Sequence, residues 1–218
     1  MDCKCNTGST KLFTMRIKKF KVISDRLIIR PYRIDDFASW ASGFENRKNS
    51  KSRFDEGILP KERYSKRTFR KKLMFYNKCW AKDLFYQFGI FHKKNSEHLG
   101  SIDIAPIVRL DVQSANLGYS LHNQHWGRGY ATEAIRNILK PAFQNLKLHR
   151  IEAAMETTNK RSLKVAKAAG LKLEGKRRRY YFNGTKWVDN LVFVAMADEW
   201  GLNIEKPSFK ANMADYLK

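Results

Sequence analysis

Two glycines stand one residue apart in His125-Trp126-Gly127-Arg128-Gly129-Tyr130-Ala131-Thr132-Glu133-Ala134, just after a strand-like run at 115–121 and just before a stretch of helical periodicity. Glycine lets a backbone approach a ligand with no Cβ in the way, and the first turn of a helix presents unpaired N–H groups at the positive end of its dipole. Such a place suits an anion, above all a phosphate. The same residues also suit a plain strand-to-helix turn, and a short glycine pattern alone does not separate the two. A second pair is Asn159 and Ser162 at the opening of a short helix, where Asn159 has the type and place of a cap and Ser162 lies in the first turn. Glu45, with Asn46 beside it in Phe-Glu-Asn-Arg, and Glu156, near the end of a strand, are candidates to take a proton from a reacting group. None of the five histidines has a spacing that suggests a metal site, so no metal is expected.

The elements that must position these residues follow from periodicity. Residues 23–30 read as a first strand, and 35–44 as a short helix with Phe37, Trp40 and Phe44 on one side. Residues 46–60 read as a polar, mobile connection, and 61–77 as a helix with Phe69, Leu73 and Tyr76 inward and its basic residues outward. Residues 84–92 and 99–107 form a hairpin around Lys94-Asn95-Ser96, the second strand ended by Pro106. A strand at 115–121 leads into the glycine loop, and 131–146 is a helix with a buried stripe, kinked by Pro141. Residues 149–157 form a strand and 160–169 a helix stopped by Gly170, after which Leu171 starts a strand. Tyr180-Tyr181-Phe182 and Trp187-Val188 flank Asn183-Gly184, the signal of a two-residue hairpin turn, and 191–196 is the last strand. The order β-α-α-β-β-β-α-β-α-β-β predicts an α/β (α+β) fold, with a mixed, mostly antiparallel central sheet flanked by helices on both sides.

A chain of 218 residues accommodates one domain, placed at 22–200, with a basic N-terminal extension at 1–21 and a polar tail at 201–218. Its apolar fraction of 43% argues against disorder, and no apolar run approaches the roughly 18 residues of a membrane span. The amino terminus lacks the apolar core of a secretory signal, and three cysteines leave one unpaired in any disulfide scheme. A soluble, cytoplasmic protein is expected. The net charge of +22 predicts salt-sensitive attraction to something anionic: nucleic acid, ribosome, acidic protein or a phosphate-bearing ligand. Twelve Lys/Arg against three Asp/Glu fall between Arg47 and Lys78, so the helix at 61–77 offers a basic face for RNA or ribosome, or simply a solvated one.

Several segments in order carry a resemblance: Ile28-Ile29-Arg30-Pro31, Leu99-Gly100-Ser101-Ile102, Leu117-Gly118-Tyr119-Ser120-Leu121, the Trp126 to Ala134 loop, and Asn159-Lys160-Arg161-Ser162 followed by Val165-Ala166 and Gly170-Leu171. Together, over about residues 24–200, they resemble the GNAT acetyltransferases, most of all the branch that acetylates the amino termini of ribosomal proteins on alanine or serine. The resemblance implies acetyl-CoA as donor. It places the coenzyme A loop on Trp126-x-x-Gly129-x-Ala131, with Trp126 where the general pattern has Gln or Arg. Gln124-x-x-Gly127-x-Gly129 has the same spacing but lies two residues early relative to the helix. Backbone N–H groups from Gly127 through Tyr130 to Ala131 would hold the pyrophosphate, with Arg128 adding charge.

The resemblance further implies that the 117–121 strand pairs with the pantetheine arm in a ligand-filled gap, and that the Leu121 N–H polarises the thioester carbonyl. Asn159 would contact the arm through its amide, unless it serves only as a cap, and Ser162 would donate a hydrogen bond or a proton to the departing thiolate, unless it is only a surface serine of the first turn. Relatives in this branch place a glutamate in the strand before the final hairpin. Here that region reads Tyr180-Tyr181, so no base carries over, and the two tyrosines line the acceptor site or pack in the core. The expected function is acetyl transfer from acetyl-CoA to a primary amine, with a ribosomal protein's N-terminal amine favoured. A small amine such as a polyamine, amino acid or aminoglycoside is the alternative, although a charge of +22 repels polycations. From another class, a non-catalytic basic module binding RNA or ribosome also fits the fold.

Overall fold

The computed structural model describes residues 20–203, so Cys3, Cys5 and nearly all of the N-terminal extension and C-terminal tail lie outside the described residues. Eight strands and four α-helices follow in the order β1 (Val22–Ile23), β2 (Leu27–Arg30), α1 (Phe37–Glu45), α2 (Lys66–Ala81), β3 (Tyr86–His92), β4 (His98–Val108), β5 (Ser114–Leu121), α3 (Tyr130–Leu146), β6 (Arg150–Glu156), α4 (Lys160–Ala168), β7 (Lys172–Phe182) and β8 (Trp187–Met196). The strands form a single sheet in the order β1-β2-β3-β4-β5-β6-β8-β7. Every neighbouring pair is antiparallel except β5 with β6. None of the described helices is long and apolar enough to cross a membrane.

Strand alternation divides the sheet between two cores. Ile102 and Ile104 of β4 and Leu117 and Leu121 of β5 join the α3 stripe of Ala134, Ile135, Ile138, Leu139, Ala142, Phe143 and Leu146 in the larger core. The interleaved Ser101 and Ser120 face the other way, where they share a cavity with Trp40 and Phe44 of α1 and Tyr76 of α2. A smaller core of Trp40, Ala41, Tyr64 and Phe69, flanked by Tyr32, Phe37, Phe44, Leu59 and Leu73, ties α1 to α2 on that side. Phe69 is buried and the basic residues of α2 are exposed, as the periodicity predicts.

Several boundaries move for local physical reasons. The first strand is split by a turn in which the Ser24 N–H donates to the Leu27 carbonyl. The folded region also begins before residue 22, because Phe20 is buried with its ring 4.7 Å from that of Phe88. The predicted 61–77 helix is a short 3-10 turn at Lys61–Tyr64 followed by α2, whose start is fixed by the Ser65 side chain accepting from the Thr68 N–H. Strand β4 does not stop at Pro106, which pairs with Ala115 beside a bulge, a place where a missing N–H is tolerated. The β7–β8 connection is a four-residue loop rather than a two-residue turn: Phe182 pairs with Trp187, and the Asn183 side chain turns inward to accept from the Thr185 and Lys186 N–H groups.

The polar 46–60 connection is organised by a buried ion pair and its hydrogen bonds. Arg47 and Asp55 form an ion pair at 3.0 Å, with side chains only 5% and 0% exposed. Asn123 donates to Asp55, the Lys51 and Gly57 N–H groups donate to the same carboxylate, and Arg47 Nε donates to the Gly57 carbonyl. Asn123 also binds the Lys48 backbone through both its amide oxygen and nitrogen, tying this strap to the turn after β5. Burial alone would raise the Asp55 carboxyl, but these hydrogen bonds and the Arg47 charge hold it below its ordinary value.

Arg47→Ala leaves the Asp55 charge buried without its cation, and a loss of about 3 kcal/mol is expected in urea unfolding. On β4, Asp103 is raised to about 6 by burial, against a hydrogen bond from the Gly118 N–H. A raised carboxyl favours folding fully below its unfolded value of about 4 and loses that contribution as pH rises through its folded value. Asp103→Asn is therefore expected to raise stability near neutral pH by about 2 kcal/mol and to flatten the stability profile between those two values, read by urea titration across that range.

Candidate active site

The parallel pair β5–β6 is joined only at Ser114–Arg150, Ala115–Ile151 and Asn116–Glu152. Beyond these three positions β5 continues to Leu121 and β6 to Glu156, leaving a gap between them. Opposed residues of an antiparallel ladder alternate between hydrogen-bonded and non-bonded pairs. Since the His122 N–H donates to the Leu99 carbonyl, the next pair, Gly100 with Leu121, is non-bonded. The Leu121 N–H thus turns from β4 toward the gap. Its carbonyl accepts from the Trp126 indole N–H at 3.0 Å. Gly100 is needed for this close approach, because a Cβ there would lie 2.1 Å from the Ser120 carbonyl oxygen.

The glycine loop lies at the mouth of the gap. Gly127 and Gly129 take φ of +83° and +78°, the left-handed region open to glycine, and Gly129 is the N-cap of α3. A Cβ at Gly127 would meet no heavy atom within 4 Å, and one at Gly129 only the Arg26 guanidinium at 3.4 Å. The first-turn N–H groups of α3 therefore border an open cradle suited to phosphate. Gln124 donates to the Gly43 carbonyl, so the earlier register of the glycine pattern has its first side chain committed elsewhere. Arg128 and Gly129 are exposed, Tyr130 is buried, and Ala131 lies in the first turn.

A residue absent from the sequence reading secures this loop. Arg26 donates from its guanidinium to the Arg128 carbonyl at 3.0 Å, lies over the Tyr130 ring, and pairs with Glu133 at 2.7 Å. Glu133 also accepts from the Arg26 N–H and the Ser24 hydroxyl. Burial would raise the Glu133 carboxyl, but those donors hold it below its ordinary value. The signal was Glu133 at the start of a helix; its partner is 107 positions away.

Across the gap, Asn159 caps α4, its amide oxygen accepting from the Ser162 N–H at 3.3 Å. The cap uses only the oxygen, so the amide N–H₂ remains available. The Ser162 carbonyl accepts from the Tyr119 hydroxyl at 3.0 Å, which links α4 to β5 and brings Ser162 to the gap. The Arg161 guanidinium stacks 4.5 Å from the Trp126 ring centre. Pairwise contacts thus connect Trp126 to Leu121 and to Arg161 of α4, and Ser162 to Asn159 and to Tyr119 of β5.

The remaining site candidates are placed elsewhere. Glu156 is engaged by Arg53 and Thr158, so it is not a free base. Glu45 is exposed at the end of α1, and the Asn46 side chain folds back on Ser42. Tyr180 and Tyr181 are 46% and 56% exposed on β7, the edge strand, so they are not core residues, and neither lines the cavity under α1 and α2. Sequence spacing also missed a histidine cluster. His98 and His122 are buried at ring nitrogens 2.9 Å apart, with the Tyr32 hydroxyl 2.9 Å from the far nitrogen of His98. These three line a cavity of about 230 Å³ together with Ser101, Ser120 and Gln87. Among the described residues no group of three or more His, Cys, Asp or Glu is arranged to hold a metal.

Residues 26–172 match the family described as Acetyltransferase (GNAT) domain. The chain is 38% identical over 128 residues, 58% of this chain and 70% of the relative, to the Bacillus subtilis (strain 168) protein "Probable N-acetyltransferase YjcK". It is 23% identical over 194 residues, 86% of this chain and 96% of the relative, to "[Ribosomal protein uS5]-alanine N-acetyltransferase" of Escherichia coli (strain K12). Among solved structures, Mycobacterium smegmatis RimJ in complex with CoA-disulfide superposes with a TM-score of 0.66 at 24% identity, covering 82% of this chain and 85% of that one. With an open glycine turn before α3, a β5–β6 pairing that ends at Asn116 and a family match over most of the folded region, the chain belongs to the GNAT acetyltransferases and is an acetyl-CoA-dependent N-acetyltransferase.

Proposed function

We propose that acetyl-CoA lies in the β5–β6 gap and that the acceptor amine enters through the cavity under α1 and α2. The observation that carries this reading is the end of β5–β6 pairing at Asn116, which frees the β5 edge up to Leu121, beside the open glycine turn of α3. The bound thioester supplies an activated acetyl group. The N–H groups from Gly127 to Ala131 hold the pyrophosphate, with Arg128 adding charge from the side. Trp126, fixed to the Leu121 carbonyl and stacked on Arg161, keeps the strand end in place. The Leu121 N–H stabilises negative charge developing on the acetyl oxygen, a fixed donor worth roughly 3 kcal/mol. The Asn159 amide contacts the cofactor arm, and Ser162 protonates the departing thiolate.

The favoured acceptor is the N-terminal amine of a protein, and a ribosomal protein in particular. Two observations support this: similarity to the uS5-alanine N-acetyltransferase over 86% of the chain, and the exposed Lys66, Arg67, Arg70, Lys71 and Lys72 on α2, which present a basic face beside the acceptor cavity. Such a face draws ribosomes by long-range attraction and weakens with salt. A small amine would also fit a cavity of about 230 Å³, and competition between the two acceptor classes decides between them.

Calorimetric titration with acetyl-CoA is expected to give saturable binding that Gly129→Glu abolishes, by bulk and like charge at the α3 N-terminus. Glu133→Gln, which loosens Arg26 from the loop, is expected to weaken binding about tenfold. No binding by the unaltered protein would overturn the assignment of the gap. Ser162→Ala is expected to lower kcat about 100-fold with little change in KM for acetyl-CoA. In the same assay an Ala- or Ser-initiated peptide should be acetylated faster than spermidine, and replacing Lys66, Arg67, Lys71 and Lys72 by Glu should abolish co-sedimentation with ribosomes. The reverse preference with unchanged sedimentation would assign a small amine.

A further inference from the structure

Tyr32, His98 and His122 form a continuous buried chain of two hydrogen bonds, each 2.9 Å long, from the Tyr32 hydroxyl to His98 Nε2 and from His98 Nδ1 to His122 Nε2. His98 is 2% and His122 3% exposed, and the last nitrogen of the chain, His122 Nδ1, is buried with no partner. All three residues line the cavity assigned to the acceptor, and His122 directly follows Leu121.

A neutral imidazole has one donor and one acceptor nitrogen, so the chain has two proton arrangements. In one, Tyr32 donates to His98 Nε2, His98 Nδ1–H donates to His122 Nε2, and His122 Nδ1 carries a proton. In the other, every bond is reversed: His122 Nε2–H donates to His98, His98 Nε2–H donates to the Tyr32 oxygen, and His122 Nδ1 is a bare lone pair. Burial pushes His98 down to about 3, with the Gly100 carbonyl and Asp36 opposing and His125 and Arg30 reinforcing. It pushes His122 down to about 2, with His98, Arg47 and His125 reinforcing. Neither ring holds a positive charge at neutral pH, yet passage between the two arrangements requires none. Among the carboxylates, Glu156 binds Arg53 and Glu45 is exposed at the end of α1, whereas Glu56 lines the same cavity as an exposed side chain 3.7 Å from Arg63.

We propose that this Tyr32–His98–His122 chain is the proton-accepting site for a primary amine that arrives as its ammonium form. The proposal rests on the reading that the acceptor occupies this cavity beside Leu121. The ammonium N–H bond breaks as His122 Nδ1–H forms. His122 passes its Nε2 proton to His98 Nδ1, His98 passes its Nε2 proton to Tyr32, and Tyr32 releases its hydroxyl proton into the part of the cavity that Ser101 also lines. The positive charge leaves with that proton, and the amine is left neutral with its lone pair free to attack. After product departs, Nδ1–H returns a proton to water and Tyr32 regains one, so each turnover releases one proton.

The test uses the full chain with ¹⁵N-labelled histidine, together with Tyr32→Phe and His122→Gln. In the free protein, Tyr32→Phe is expected to shift the protonation of His122 Nδ1 two links away, with the fold intact by circular dichroism; unchanged His122 ring signals overturn the chain. In acetyl transfer, His122→Gln is expected to lower kcat about 100-fold and Tyr32→Phe about tenfold, with acetyl-CoA binding retained. The proton inventory in mixed heavy water should be curved in the unaltered protein and linear in Tyr32→Phe. Asp103→Asn should keep the rate, and loss of activity together with loss of an acid limb near pH 6 in that variant would make Asp103 the base instead. Acetyl-CoA binding without acetylation of any amine by the unaltered protein overturns the cavity reading and the chain with it, whereas unchanged rates in both variants overturn the chain alone.

Discussion

Backbone N–H and C=O groups that leave a sheet ladder need other partners, and the end of β5–β6 pairing at Asn116 creates such a need along one strand edge. Within the protein, the Trp126 indole meets one of those groups, the Leu121 carbonyl. The exposed edge in the middle of the sheet can be completed by an extended ligand carrying its own amides. Everything around the gap serves to keep the two strands apart and their ends fixed. Helix α3 packs its apolar stripe under the sheet, and Tyr119 bonds to the Ser162 carbonyl so that α4 stays on the far side.

Two polar networks fix the borders of this opening, and both join segments distant in sequence. Arg26, Ser24 and Glu133 fasten the glycine loop to the turn between β1 and β2. Arg47, Asp55 and Asn123 fasten the 46–60 strap to the turn after β5. The second is nearly dry, and a buried ion pair repays its desolvation only when its hydrogen bonds are complete, as they are here. Arg53, carried by the same strap, engages Glu156 at the end of β6, so one polar segment borders both strands of the gap.

Much of the secondary structure was legible because it is local. Helix α3 shows its stripe at helical spacing, and the glycines before it take the left-handed backbone that their type permits. Errors fell where a neighbour decides: Pro106 stays in β4 because a bulge absorbs its missing N–H, and Asn183 makes a four-residue loop because its side chain bonds forward instead of leaving the turn to Gly184. The 46–60 strap looked mobile because polar residues without periodicity usually are, whereas here a buried ion pair organises them.

The sequence by itself determined the order of elements, the placement of glycines before the α3 helix start, the identity of the α4 cap and the basic face of α2. Each depends on residues within a turn or two of one another, where backbone sterics and periodicity act. Only the tertiary structure decided that Glu156 is committed to Arg53, that Tyr180 and Tyr181 stand on an exposed edge, that Arg26 holds the loop, and that three residues at 32, 98 and 122 share a line of hydrogen bonds. Those outcomes depend on sheet register and on helices crossing it, which set distances between residues tens of positions apart, and burial then decides which polar groups must pair.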